Sequence, residues 1–168
     1  MRQIPFLAVA LAFLAFPAFA QEPKTLLEQG KWMGLESQET GGKICYMTSF
    51  PTASEGKYTK RGDVVAAITH RPAKSELNVV SLIMGYTIDD AAPVEVIIDK
   101  QSFKLTPTET TAWTDTAEED AALVAAMRKG AEMVVKGRSA KGTPTTDTYS
   151  LSGFSAVNKA INKACGVK

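Results

Sequence analysis

Few of the chain's 168 residues have side chains suited to chemistry, and the two cysteines come first. Cys45 and Cys165 stand 120 positions apart, and neither belongs to a Cys-x-x-Cys pair. In an oxidising compartment that arrangement reads as a disulfide, with a redox couple or a metal site as its rival. A cysteine nucleophile would also need an imidazole partner, and the chain has one histidine, His70. His70 is in phase with Val64, Ala66 and Ile68 and is followed by Arg71 and Pro72. It reads as a satisfied structural histidine at a sheet edge. One histidine without clustered carboxylates makes neither a zinc site nor a Ser-His-Asp triad, and no Gly-x-Ser-x-Gly elbow occurs. The expectation is a protein with no catalytic residues, no metal and no cofactor, and so not an enzyme.

One further stretch could bind. Lys136, Gly137, Arg138, Ser139, Ala140, Lys141, Gly142 and Thr143 have the composition of a phosphate loop but not its order, because Lys141 precedes Gly142 instead of following it. The plain reading is a flexible basic turn between two strands. Its glycines expose backbone N–H groups beside three cations, so Lys136, Arg138 and Lys141 are the expected contacts for an anion or a partner.

The elements that must position these residues are mostly short, rich in β-branched and aromatic residues, and separated by Gly, Pro, Asp or Asn. Ile44, Tyr46, Thr48 and Phe50 share one face of a strand, with Cys45, Met47 and Ser49 on the other. Val94 to Asp99 and Phe103 to Leu105 read as a hairpin. Val64 to Thr69 and Leu77 to Met84 are apolar on both faces and should lie centrally in a sheet. Thr116 to Lys129 reads as a helix, with Thr116 and Glu119 as a capping box, Leu123, Val124 and Met127 as its buried stripe, and Gly130 as its stop. A second helix runs from Ser152 or Gly153 to Ala164, with Phe154, Val157, Ile161 and Ala164 at helical spacing. About eight strands and two helices fit a β-sandwich with helical additions.

The N-terminus carries Arg2 and then an apolar run from Ile4 to Ala20 that closes on Ala18, Phe19, Ala20. That is the pattern of a secretory signal peptide cut after Ala20; the run is shorter than the roughly 20 residues that span a bilayer. The expected organisation is a leader over 1–20, a flexible lead-in over 21–30, and one domain over 31–168. Without the leader the chain has 18 basic and 18 acidic residues. A balanced charge argues against a nucleic-acid partner, and no transmembrane segment is expected after cleavage.

From Gly62 to Cys165 the chain resembles the invasion-associated locus B family of alphaproteobacterial envelope proteins. The likeness rests on His70-Arg71-Pro72, Val80-Ser81 with Gly85-Tyr86, Phe103 to Leu105, Ala112-Trp113, Leu123 to Gly130, Met133 to Gly137 and Gly142 to Phe154, closed by Cys165. It implies an immunoglobulin-like β-sandwich, export to the periplasm or beyond, and in pathogenic members a part in entering host cells. No catalytic residues are implied. Arg138 to Lys141 depart from the pattern, which there has a serine-rich turn with arginine before the glycine, and lysine lacks arginine's two-pronged donor geometry. Two functions stand open: a protein that binds an envelope or host-surface protein, and a periplasmic small-ligand carrier or chaperone using a groove between sheet and helices.

Overall fold

The computed structural model of the chain describes residues 22–167; the leader and its cut after Ala20 lie outside them. Eleven strands are found among the described residues. They are β1 (Lys24–Gln29), β2 (Trp32–Glu39), β3 (Gly42–Ser49), β4 (Ala53–Gly56), β5 (Val65–Arg71) and β6 (Glu76–Ile83), followed by β7 (Val94–Ile98), β8 (Gln101–Thr108), β9 (Thr111–Trp113), β10 (Glu132–Arg138) and β11 (Pro144–Ser150). Helix α1 (Ala117–Met127) lies between β9 and β10, and α2 (Phe154–Cys165) follows β11. The strands join in the order β1-β2-β3-β5-β6-β9-β8-β7-β10-β11-β4. All pairs are antiparallel. Strand β8 links the two limbs: Gln101 to Leu105 pair with β7, and Thr106 to Thr108 turn to β9. Pro107, which has no N–H to give a ladder, stands at this change of partner.

The class is mainly β with two helices, as expected, but the strands outnumber the eight read from the pattern. The additional ones are those that alternation cannot show. β4 reads Ala-Ser-Glu-Gly and is exposed throughout, and β9 is three residues long. β1 corrects the expectation of a flexible lead-in over 21–30, because Lys24 to Gln29 pair with β2. A bulge between Thr25 and Leu27 interrupts its register. Leu26 and Leu27, adjacent in sequence, therefore both pack on the core, and this hides the period of two.

One face of the first limb presents Cys45 and Met47 from β3, Ala66 and Ile68 from β5, and Val80 and Leu82 from β6 to a single core. Both helices close over it. Leu123, Val124 and Met127 of α1 are buried, as are Phe154, Val157 and Ile161 of α2. Trp32 meets Phe154 edge to face at 4.9 Å, and its indole N–H donates to the Ser150 carbonyl at 2.9 Å. The capping box forms: the Glu119 N–H donates to the Thr116 hydroxyl, and the Glu119 carboxylate accepts from the Thr116 N–H. Asp120 does more than stabilise the helix start. Strand β6 pairs with β9 only through Ser81 to Ile83, so the Val80 N–H lies beyond the ladder, and the buried Asp120 carboxylate accepts from it at 2.7 Å. Burial pushes the Asp120 carboxyl above the usual range, partly offset by bonds from Thr114 and Val80.

Cys45 and Cys165 form a disulfide, with Cα atoms 5.9 Å apart, that ties the end of α2 to β3. Closing a loop of this length removes denatured-chain entropy worth roughly 4–5 kcal/mol in the chain-entropy model. The Cys165→Ser variant should melt lower and be cut by protease near α2. Thermal melts and limited proteolysis against the wild type check this, and two free thiols in the denatured, unreduced protein would show that no bridge forms.

Candidate binding cleft

The site begins with two glycines. The segment after β4 crosses the segment after β6, where the Gly62 N–H donates to the Gly85 carbonyl at 2.8 Å. Gly85 has φ +71°, and a Cβ there would stand 2.5 Å from the Gly62 oxygen, so only glycine suits this crossing. The crossing carries Arg61 inward to Asp147 of β11. The two guanidinium ends donate to the two carboxylate oxygens at 2.7 and 2.6 Å, while Nε donates to the Met84 carbonyl at 2.8 Å. The side chains of the pair are 5% and 0% exposed. Ser54 of β4 donates to the same carboxylate at 2.7 Å. Burial works against the Arg61 charge, but the bonds and field of Asp147 outweigh it and hold the guanidinium above its ordinary range.

Two tyrosines stack on this cation, with Arg61 over the ring of Tyr58 at 5.4 Å and over that of Tyr86 at 5.0 Å. Tyr86 also shares a 2.6 Å hydrogen bond with the Thr145 hydroxyl, and burial pushes its phenol up, so it stays neutral. Gly137 of β10 makes room for it: a Cβ there would lie 2.7 Å from the Tyr86 oxygen. Above these rings opens a cleft of about 580 Å³. Lys57, Lys60 and Lys141 line it, together with Tyr58 and Tyr86. The hydroxyls of Thr59, Thr87, Ser139, Thr143 and Thr145 complete it, and Ala140 is the only aliphatic lining residue.

The turn between β10 and β11 is held by hydrogen bonds of its own. The Ser139 N–H donates to the Thr143 carbonyl at 2.9 Å, and the Thr143 N–H donates to the Ser139 hydroxyl at 3.1 Å. The turn is also strapped to the segment after β6 by Ala140 N–H to Thr87 carbonyl at 2.8 Å and Asp89 N–H to Arg138 carbonyl at 2.9 Å. Of the three cations read from the sequence, all are exposed but only Lys141 lines the cleft. Lys136 stands opposite Glu95 and Thr146 in the ladder, and Arg138 donates to the Gly142 carbonyl at 3.2 Å.

The sequence profile of the Invasion associated locus B (IalB) protein family matches residues 33–162. The chain belongs to this family. Among solved structures it is similar to invasion associated protein B from Bartonella henselae, at 19% identity and a TM-score of 0.54, over 84% of this chain and 97% of that one. At that identity the likeness concerns the fold. No match was found among curated proteins.

His70 illustrates how this member secures the side opposite the cleft. It is fully buried on β5, between β3 and β6, rather than at a sheet edge. The Asn78 N–H donates to its Nδ1 at 3.0 Å, which leaves the ring proton on Nε2 to donate to Asn162 of α2 at 2.9 Å. Turning the Asn162 amide would gain Asn158 and Arg128 as partners but would set its N–H₂ against the ring N–H. Arg128 Nε meanwhile donates to the buried Asn158 at 2.7 Å. Arg61, Tyr58, Lys57 and Lys60 went unnoticed in the sequence, and Tyr86 and Asp147 entered only as part of the family likeness, because no local motif links residues 86 positions apart such as Arg61 and Asp147.

Asp147→Ala leaves a buried guanidinium without its partner and should cost about 3–5 kcal/mol, whereas the double variant Arg61→Met with Asp147→Leu should recover most of that. Urea denaturation of the three proteins checks both. His70 supplies a second test. Burial holds its imidazole below the ordinary value of 6.5, offset in part by the Asn162 hydrogen bond and reinforced by the weaker effect of the Arg128 charge. The native state then binds fewer protons than the unfolded chain, so stability falls as pH drops through the unfolded value, by at most about 1.4 kcal/mol per pH unit. Asp120, shifted up, acts with the opposite sign at lower pH. The wild type should therefore lose more stability than His70→Gln between pH 7 and pH 5, as read from paired denaturation curves.

Proposed function

We propose that this protein is an exported, non-catalytic binding protein that works in the periplasm or at the envelope surface, in host-cell invasion or in contacts within the envelope. The cleft carries the reading. Three exposed lysines, two tyrosines held by a buried ion pair, and a ring of hydroxyls make a recognition surface. His70 supports the non-catalytic part, since both its ring nitrogens are engaged in the core and it lines no part of the cleft. The Cys45–Cys165 bridge suits an oxidising compartment. Among the described residues no helix is long and apolar enough to cross a membrane.

A second reading, a small-ligand carrier, has one observation in its favour: the cleft volume falls in the usual range of ligand pockets, about 300–1,000 Å³. The cleft is not, however, the groove between sheet and helices anticipated for a carrier, since that space is filled by Leu123, Met127, Phe154 and Ile161. A pull-down from envelope fractions separates the readings, with a protein partner favouring the first and a retained small molecule the second.

The variant Lys57→Ala/Lys60→Ala/Lys141→Ala should weaken envelope or host-cell association while changing stability by no more than about 1 kcal/mol, because all three lysines are exposed. Lys136→Ala, which lies outside the cleft, should leave association unchanged. Mass spectrometry of the periplasmic or culture fraction should find a chain beginning at Gln21; an intact Met1 terminus or a cytoplasmic location would overturn the export reading.

A further inference from the structure

We infer that the cleft takes an acidic saccharide, an inference that rests on reading the cleft as the binding surface. The lining combines three chemistries that few ligands need together. Lys57, Lys60 and Lys141 supply positive charge, and no carboxylate stands among the lining residues. Asp147, in the strand beneath, is wholly buried and saturated by Arg61 and Ser54, so it does not cancel that charge. A bare anion would need only the lysines. Tyr58, however, stays 38% exposed while Arg61 holds its ring in place. A fixed, half-open ring suits the C–H face of a sugar, which is apolar although its rim is polar.

The hydroxyls decide between a saccharide and a peptide. An extended peptide would be read by adding a strand to a free sheet edge or by seating apolar side chains in sockets. Strand β11, which carries Thr145 into the cleft, is paired on both sides by β10 and β4, and the free edge at this end of the sheet lies on β4, none of whose residues lines the cleft. With Ala140 as the only aliphatic residue, no socket exists for an apolar anchor. Side-chain hydroxyls instead both donate and accept, which matches the sugar hydroxyl's own dual character. The turn that supplies Ser139, Lys141 and Thr143 is strapped to Thr87 and Asp89, so these groups are held in position before a ligand arrives.

Calorimetry on the exported, oxidised protein tests this with four probes: short oligogalacturonates, their neutral methyl esters, heparin fragments and inorganic polyphosphate. Oligogalacturonate or heparin fragments should bind, more weakly as salt rises, and the preferred one identifies carboxylate or sulfate as the acidic group. The methyl esters should bind at least about tenfold more weakly than the acid, and the triple lysine variant should lose about tenfold or more. Tyr58→Ala should lower saccharide affinity about tenfold and leave polyphosphate affinity unchanged, with Tyr58→Phe restoring it. Failure of both acidic saccharides to bind overturns the inference. So does polyphosphate binding as tightly as either of them, together with insensitivity to Tyr58→Ala. If the lysine variant loses envelope association while neither saccharide binds, the cleft remains the contact surface and only the ligand class falls.

Discussion

The buried pair of Arg61 and Asp147 is the interaction on which the cleft depends. Two charges taken out of water are tolerated only where their polar atoms find partners, and here Met84, Ser54 and the bidentate contact give each guanidinium nitrogen and each carboxylate oxygen at least one. An apolar pair of the same volume could serve stability as well. What it could not do is set direction. The planar guanidinium holds Tyr58 and Tyr86 at fixed distances, and Tyr86 in turn engages Thr145. Because Arg61 comes from an irregular segment, Ser54 from β4 and Asp147 from β11, the pair also fixes an edge strand and a loop that have little apolar surface of their own.

The far side of the molecule is secured by different means. There α2 is fastened by the disulfide at its end, by His70 to Asn162 in its last turns, and by Phe154 against Trp32 at its start. Lys43 reaches across to the Ala164 carbonyl at 3.3 Å. These fastenings share no residue with the cleft. Loss of the bridge should therefore loosen α2 before it disturbs Arg61, since energetic coupling falls off between sites without common partners.

What the sequence disclosed follows from the range of each signal. Local rules identified α1, with Thr116 and Glu119 adjacent in space as in sequence, and the β7–β8 hairpin, whose strands nearly touch along the chain. The stripe of Phe154, Val157 and Ile161 likewise marked α2. A contact between distant residues was legible only for Cys45 and Cys165, because two cysteines in an oxidising setting leave one pairing. Arg61 and Asp147 had many possible partners of opposite charge, and Tyr58 and Tyr86 look like any surface or core aromatic. The bulge in β1 and the exposure of β4 erased the alternation that marks a strand. For the same reason Lys136, Arg138 and Lys141 appeared equivalent in the sequence: strand pairing places Lys136 on the exposed face of β10 outside the cleft, and the turn bends Arg138 back on Gly142.

Opposing demands explain why the cleft is built this way. A surface that binds a charged, hydroxylated ligand must keep its cations solvated until contact, since lysines buried in advance would shift towards neutrality. It must also hold its rings and hydroxyls still, since ordering them on binding would consume affinity. The protein separates these tasks. The mobile charge sits on lysines at the rim, where desolvation is small, while the one cation that is buried is permanently paired and serves as scaffold for the tyrosines. Rigidity thus comes from Arg61 and charge from Lys57, Lys60 and Lys141. An arginine at the rim in place of Lys141 would add bidentate geometry, yet the turn already spends Arg138 on its own Gly142 carbonyl. The lysine leaves the cleft with point charges that can follow an acidic group to more than one position along a chain of sugars.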